Sequence, residues 1–176
     1  MNETIPREIF SFFNRLDKNN NREWFNENKN EFKELENEVK QFYTQLYERM
    51  NTHDEVEKLK IFRIYRDVRF SKDKTPYKTH LGGSISRKKP GLRGGYYLQI
   101  QPNNESFIAT GFWAPSKEDL FRIRKEFEMD ASEMRDIMSN KKFKSVWGDL
   151  VGDEVKTAPK SAIISTGPPP DAVPSR

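Results

Sequence analysis

The first fifty residues carry apolar positions at helical spacing. One stripe predicts a helix that begins near Pro6 and ends near Asp17. Its apolar face consists of Ile9, Phe10, Phe13 and Leu16. The polar run at 18–21 contains asparagines, which can cap the next helix. A longer stripe then predicts one amphipathic helix that packs on a sheet, with apolar positions at Phe25, Phe32, Leu35, Val39, Phe42, Leu46 and Met50.

From residue 60 onward, apolar positions alternate with polar ones, as they do in half-buried β-strands. This alternation predicts four strands, at 61–70, 81–86, 96–101 and 106–113. The polar tetrapeptide at 102–105 predicts a hairpin turn between the last two. Together these segments favour an antiparallel meander of about four strands.

Two helix-capping patterns follow the strands, and they begin at Ser116 and Asp130. Helices before and after an antiparallel sheet predict an α+β domain, in which N-terminal and C-terminal helices cover the meander. We expect a single domain at 1–160. The proline-rich segment 161–176 cannot continue a helix or a central strand, so we expect it to be loosely ordered.

Composition narrows the class of protein. The 176 residues are only 34% hydrophobic, but 13 Phe, 6 Tyr and 3 Trp supply enough buried area for a core. The absence of cysteine excludes disulfides, thiolate nucleophiles and cysteine-bound metals. No apolar run is long enough to cross a bilayer, and the N-terminus lacks the pattern of a secretion signal. We therefore expect a cytoplasmic protein without a membrane partner.

Positive charge is concentrated in one segment. Residues 58–93 hold twelve basic side chains and two acidic ones, whereas the whole chain has a net charge of only +4. The remainder is therefore acidic. A positive segment in an acidic protein favours anionic partners such as phosphates, carboxylates or nucleic acid.

The segment that begins at Arg63 concentrates this charge. On the predicted strand, Arg63, Asp67 and Arg69 share a face, so two guanidinium groups should lower the pKa of the Asp67 carboxyl. Asp67 would then orient the arginines rather than shuttle protons. Arg66 interrupts the apolar side of the strand. We expect its side chain to be paired or to line a cleft, because an unpaired buried charge is costly.

The loop behind this strand adds further cations and a tyrosine. We interpret the whole cluster as a site for a phosphorylated or carboxylated small ligand. The candidate anion-binding residues are Arg63, Arg66, Asp67, Arg69, Lys72, Lys74, Tyr77 and His80.

The sequence is also compatible with two alternatives to a small-ligand site. The basic residues and nearby tyrosines are also compatible with a nucleic-acid-binding module. In a third interpretation the protein is structural or mediates interactions, and the Arg–Asp motif is a salt-bridge network that only stabilises the fold.

The sequence does not define a reaction. It contains no glycine-rich phosphate loop, no Gly-x-Ser-x-Gly nucleophile elbow and no His-Glu-x-x-His zinc motif. Its two histidines, His53 and His80, are too few for a histidine-rich metal site, and we expect neither a metal nor another cofactor. Of the two, only His80 is a plausible general base.

The motif resembles that of a known family of conserved hypothetical proteins, DUF2461. The resemblance rests on the string Arg63-x-x-Arg66-Asp67-x-Arg69-Phe70-x-x-x-Lys74-x-x-Tyr77 and on the segments 20–25, 94–98 and 111–113. It extends over residues 5–160 and implies a soluble protein of bacterial or fungal type, but no particular activity. Members of that family usually continue past 157–160 with more ordered chain. We therefore expect the proline-rich end of this sequence to reflect a truncation or a frameshift.

Overall fold

The computed structural model describes residues 4–149, which form six helices and four strands. Three helices precede an antiparallel sheet and three follow it, which confirms the α+β class. The chain divides into two compact units, whose described parts are 4–113 and 114–149. The end of the predicted domain at 160 and the predicted tail at 161–176 lie outside the described residues.

The first unit begins with three helices where the sequence predicted two. Helix α1 spans Glu8–Lys18, close to its predicted bounds. The predicted long helix is divided into α2 (Arg22–Glu27) and α3 (Lys29–Met50). At the break, the Asn28 side chain donates a hydrogen bond to the Trp24 carbonyl oxygen over 2.8 Å, which competes with a continuous helix.

Helix α2 is capped as the sequence predicted. The Asn21 side chain accepts a hydrogen bond from the backbone N–H of Trp24 over 2.9 Å. This contact satisfies one of the amide groups that a helix start leaves without a partner.

The sheet is a meander in the order β1-β2-β3-β4, with every neighbouring pair antiparallel. Its strands are β1 (Val56–Ile61), β2 (Leu81–Arg87), β3 (Gly95–Ile100) and β4 (Phe107–Gly111). The turn predicted at 102–105 joins β3 to β4, and Asn103 and Asn104 adopt φ of 61° there. Asparagine tolerates this left-handed conformation better than most residues do.

The first predicted strand, 61–70, is wrong. Strand β1 ends at Ile61, and the chain then leaves the sheet until β2 begins. The alternation does not correspond to one buried face, because Ile64 is 2% exposed whereas Phe70 is 96% exposed. Residues 64–66 instead pair with 76–78 of the same excursion.

Helix α3 packs on one face of the sheet through Tyr43. A Cβ atom on Gly83 would lie 2.6 Å from the Tyr43 ring, so glycine permits this close approach. The Tyr43 hydroxyl donates a hydrogen bond to the Leu98 carbonyl oxygen over 2.8 Å. The predicted apolar stripe placed Phe42 here, but Phe42 is only half-buried. The core cluster around this contact includes Ile9, Phe12, Phe13, Leu16, Phe25, Phe32, Leu35, Val39, Ile64, Leu81 and Ile100.

The second unit consists of α4 (Lys117–Met129), α5 (Ser132–Ser139) and α6 (Lys141–Trp147). Ser116 caps α4 as predicted, since its hydroxyl accepts a hydrogen bond from the Asp119 N–H over 3.1 Å. The second predicted cap is displaced by one residue: α5 starts at Ser132 with Ala131 at its N-cap position, and the Asp130 carboxylate accepts a hydrogen bond from the Ser132 N–H over 2.8 Å. No helix within 4–149 is long and apolar enough to cross a membrane.

Candidate functional site

Residues 62–80 form an excursion between β1 and β2, which we call the basic loop. Its two arms pair with each other: the Arg66 N–H donates to the Pro76 carbonyl oxygen over 2.9 Å, and the Lys78 N–H to that of Ile64 over 2.8 Å. The basic loop is therefore a short hairpin whose tip is 67–75. The predicted site residues lie on this hairpin rather than on a strand of the sheet.

The tip is held by Arg66, Asp73 and Thr75. The Arg66 guanidinium donates hydrogen bonds to the Asp73 carboxylate and to the Thr75 hydroxyl. The Thr75 N–H also donates to Asp73 over 2.9 Å. Mainly because of this N–H and then of Arg66, the pKa of Asp73 is lowered to about 2. Arg66 is thus paired within the basic loop.

A second ion pair joins Asp67 and Arg69. The Arg69 Nε donates to one carboxylate oxygen over 2.9 Å, and its Nη2 donates to the other over 2.6 Å. The hydrogen bonds from Arg69 lower the pKa of Asp67, and the charge of Arg63 adds a smaller effect. The lowered pKa was predicted correctly, but the geometry behind it was not, because no strand aligns these side chains.

Tyr77 and Lys74 also serve the fold of the basic loop. The Tyr77 ring is buried and stacks on Phe25 with ring centroids 4.0 Å apart, and burial raises the pKa of its hydroxyl. The Asn20 side chain accepts a hydrogen bond from the Tyr77 N–H and donates one to the Tyr77 carbonyl oxygen. The Lys74 ammonium donates a hydrogen bond to the Val68 carbonyl oxygen over 2.9 Å. Neither residue lines the cleft that Arg63 borders.

His80 and Lys72 lie apart from these pairs. His80 is half-buried, and its pKa is lowered by burial first and then by the positive charges of Lys78 and Arg66. Both effects favour the neutral form of the imidazole. Lys72 is exposed and makes no hydrogen bond or ion pair to any residue within 4–149.

Arg63 borders a cleft of about 150 Å³ between the basic loop and the two helices α2 and α3. Lys29 and Lys33 line the same cleft, and none of these three cations forms an ion pair or hydrogen bond with the part of the chain that the structure describes. The acidic side chain in the lining is Glu36, which is paired with Lys40 over 2.8 Å. The remaining lining is aromatic or apolar: Phe25, Phe32, Ile64 and Tyr65.

Sequence reasoning missed Lys29, Lys33 and Glu36. Lys29 and Lys33 are four residues apart, a spacing that places both on one helix face. That signal was present, but most such faces are simply solvated. Only the position of Arg63 opposite them makes the pair part of a site.

The described residues contain no candidate metal site. Among residues 4–149, no group of three or more histidines, cysteines or carboxylates is arranged to hold a metal ion. A larger hollow of about 380 Å³ lies in the second unit, but it is lined mainly by apolar side chains of α5 and α6 and contains no residue of the basic loop.

Comparison of the sequence with known protein families confirms the resemblance that the motif of the basic loop suggested. The family described as conserved hypothetical proteins, DUF2461, matches residues 8–166. The chain belongs to this family. No curated protein matches the chain, and no solved structure matches it. The DUF2461 match includes the basic loop and all the cleft residues, and the family description assigns them no activity.

Proposed function

We propose that this DUF2461 protein binds a small anionic ligand, with a phosphate or carboxylate group, in the cleft between the basic loop and helices α2 and α3. The observation that carries the proposal is that Arg63, Lys29 and Lys33 line one cleft in which the acidic residue, Glu36, is already paired with Lys40. The cleft therefore has more positive charge than its own carboxylate neutralises.

The residue types suit this role. An arginine guanidinium can grip a carboxylate or phosphate through two parallel hydrogen bonds, and lysines add point charges. Phe25, Phe32 and Ile64 are buried and form the apolar part of the lining, which lowers the local dielectric constant and strengthens each charged contact. The apolar lining also suits a ligand with a short hydrocarbon portion.

The size of the cleft limits the ligand. Sites for drug-sized molecules occupy about 300–1,000 Å³, and this cleft has about 150 Å³. A ligand of a few carbon atoms with one anionic group fits better than a dinucleotide does.

The proposal divides five of the eight predicted site residues into two groups, and the other three, Lys72, Tyr77 and His80, do not line the cleft. Arg66, Asp67, Arg69 and Lys74 are engaged in contacts within the basic loop, so the structural interpretation applies to them. Arg63 is the predicted residue that faces the cleft. Of these contacts, the Arg66–Asp73 pair joins the two arms of the hairpin, one of which carries Arg63.

Calorimetric titration with inorganic phosphate and with butyrate tests the proposal. Arg63→Gln should reduce the affinity for each anion by about tenfold or more, since a hydrogen bond to a charged group contributes about 1.5–3 kcal/mol. Lys33→Gln should have a smaller effect in the same direction. The matched control is Lys18→Gln, which removes an exposed cation from α1 and should leave the affinity unchanged.

Glu36→Gln gives a change of opposite sign. It removes the negative charge from the cleft and releases Lys40, so both probes should bind more tightly. If the wild type binds neither phosphate nor butyrate, or if Arg63→Gln and Lys18→Gln behave alike, the cleft is not an anion site.

A further inference from the structure

The sheet has a second face that α3 does not cover. Tyr43 of α3 packs over Gly83, so the row of residues that contains Gly83 faces α3. Side chains alternate along a strand, and the next row therefore faces away from α3. That next row runs across the four strands as Lys60, Ser84, Tyr97 and Ala109. We call the surface formed by this row and its same-side neighbours the outer face.

Aromatic rings cross the outer face. Tyr97 contacts Phe62 with ring centroids 6.3 Å apart and Phe107 with centroids 5.5 Å apart. The Tyr97 ring extends over Gly82 of the neighbouring strand, where a Cβ atom would lie 2.5 Å from the tyrosine oxygen. Its hydroxyl donates to the Gln99 side chain over 2.8 Å, which fixes the ring. Phe107 is 48% exposed, so these rings form a platform that solvent reaches.

Two ammonium groups flank one end of this platform. The Lys60 and Lys78 nitrogens lie 5.2 and 5.8 Å from the centroid of the Phe62 ring. Burial, and after it the positive charge of Arg63, lowers the pKa of Lys78. No acidic residue occupies an outer-face position in the paired rows of β1 to β4. Glu105, in the turn between β3 and β4, contacts the Gln101 side chain, so the part of this face that is complementary to a polyanion is the part around Lys60 and Lys78.

We propose that the outer face binds single-stranded nucleic acid, with phosphates at Lys60 and Lys78 and bases stacked on Tyr97 and Phe107. Aromatic rings beside cationic side chains on an open surface are the combination that single-strand binding uses, because every base has a face that can stack. In a duplex those base faces are hidden, so the platform selects single strands. The small neighbours Ser84 and Ala109 leave room for a base beside Tyr97.

This proposal goes beyond the anion cleft and does not depend on it. The cleft lies on the side of α2 and α3, and its residues Lys29 and Lys33 are not part of the outer face. Lys33→Gln should therefore weaken phosphate in the cleft and leave nucleic acid binding unchanged. The two proposals can fail separately.

The test is a fluorescence anisotropy titration of the whole chain with labelled eight-nucleotide dT and U strands. An abasic eight-mer of the same backbone and charge is the reference probe. We expect both base-containing strands to bind at least fivefold more tightly than the abasic one. The affinity for dT should fall with salt, and Lys60→Gln should reduce the log–log slope by about 0.7 for the lost phosphate contact. Lys18→Gln should leave the slope unchanged.

Phe107→Ala separates stacking from charge. It should weaken dT binding by about five- to 140-fold, the range for one base–aromatic stack, and leave the affinity for the abasic strand unchanged. Its control is Phe121→Ala, which removes another exposed ring from α4 and should change nothing. Circular dichroism of each variant checks that it remains folded. Equal binding of dT, the abasic strand and heparin would overturn the proposal, as would a Phe107→Ala variant that matches Phe121→Ala.

Discussion

Asn20, in the turn between α1 and α2, holds the backbone of Tyr77 as a neighbouring β-strand would. Its side-chain oxygen accepts a hydrogen bond from the Tyr77 N–H over 3.1 Å, and its side-chain nitrogen donates to the Tyr77 carbonyl oxygen over 3.0 Å. The two residues are 57 positions apart. This contact, with the stacking of Tyr77 on Phe25, ties the basic loop to the helices that form the other wall of the cleft.

Removing this contact should destabilise the first unit. Asn20→Ala leaves the backbone N–H and C=O of a buried residue without partners, which costs about 1–3 kcal/mol. The measurement is the free energy of unfolding from urea denaturation. The control is Asn19→Ala, because the Asn19 side chain donates to the Arg15 carbonyl oxygen at an exposed position. Equal effects of the two substitutions would contradict the role assigned to Asn20.

Two glycines give a matched pair for the packing of α3 on the sheet. In Gly83→Ala the new Cβ would lie within 3.0 Å of three atoms of Tyr43, a side chain that is 1% exposed and hydrogen-bonded to Leu98. The ring cannot move freely, so we expect a loss of about 1–3 kcal/mol by overpacking. A Cβ at Gly91 meets nothing within 4 Å, so Gly91→Ala should change stability by less than about 0.5 kcal/mol. Thermal unfolding of both variants compares them directly.

Asp73 should make the stability of the first unit depend on acid pH. Its pKa of about 2 lies below the ordinary value of 3.8, so the unfolded chain takes up the proton first as the pH falls. The stabilisation is therefore complete above about pH 5 and is lost as the pH falls through 3.8 toward 2. Asp73→Asn should make the melting temperature fall less steeply over this interval, and the remaining dependence comes from other carboxylates with a lowered pKa, such as Asp67. Asp17→Asn, at an exposed position of α1, is the control with the same change of charge.

The pKa of His80 depends on the positive charges within the basic loop. Its pKa is lowered by burial and by Lys78 and Arg66, so Lys78→Gln should raise it toward 6.5. Lys72→Gln removes an exposed lysine of the same loop, and we expect no change in the His80 pKa. Proton NMR titration measures this, and His53→Gln assigns the two imidazole signals. A His80 pKa that is unaffected by Lys78→Gln would show that the two side chains do not sense each other.

Local patterns in the sequence predicted most of the elements. Several features depend on residues that are close together in the chain, so they can be predicted without knowledge of the fold. They are the meander, the turn at 102–105, the Ser116 cap and the Asn21 cap. The strand predicted at 61–70 failed because alternation shows only that a segment is extended. In this chain the extended segment pairs with 76–78 rather than with the sheet.

By itself, the sequence determined the α+β class, the motif that identifies the DUF2461 family and the excess of positive charge between residues 58 and 93. Tertiary structure decided which of those charges are neutralised. Arg66 and Arg69 find carboxylates within their own hairpin, whereas Arg63 meets Lys29 and Lys33 across a cleft. Ion pairing depends on distances of a few ångströms between side chains, and for residues distant in the chain only the packing of helices against the basic loop sets those distances.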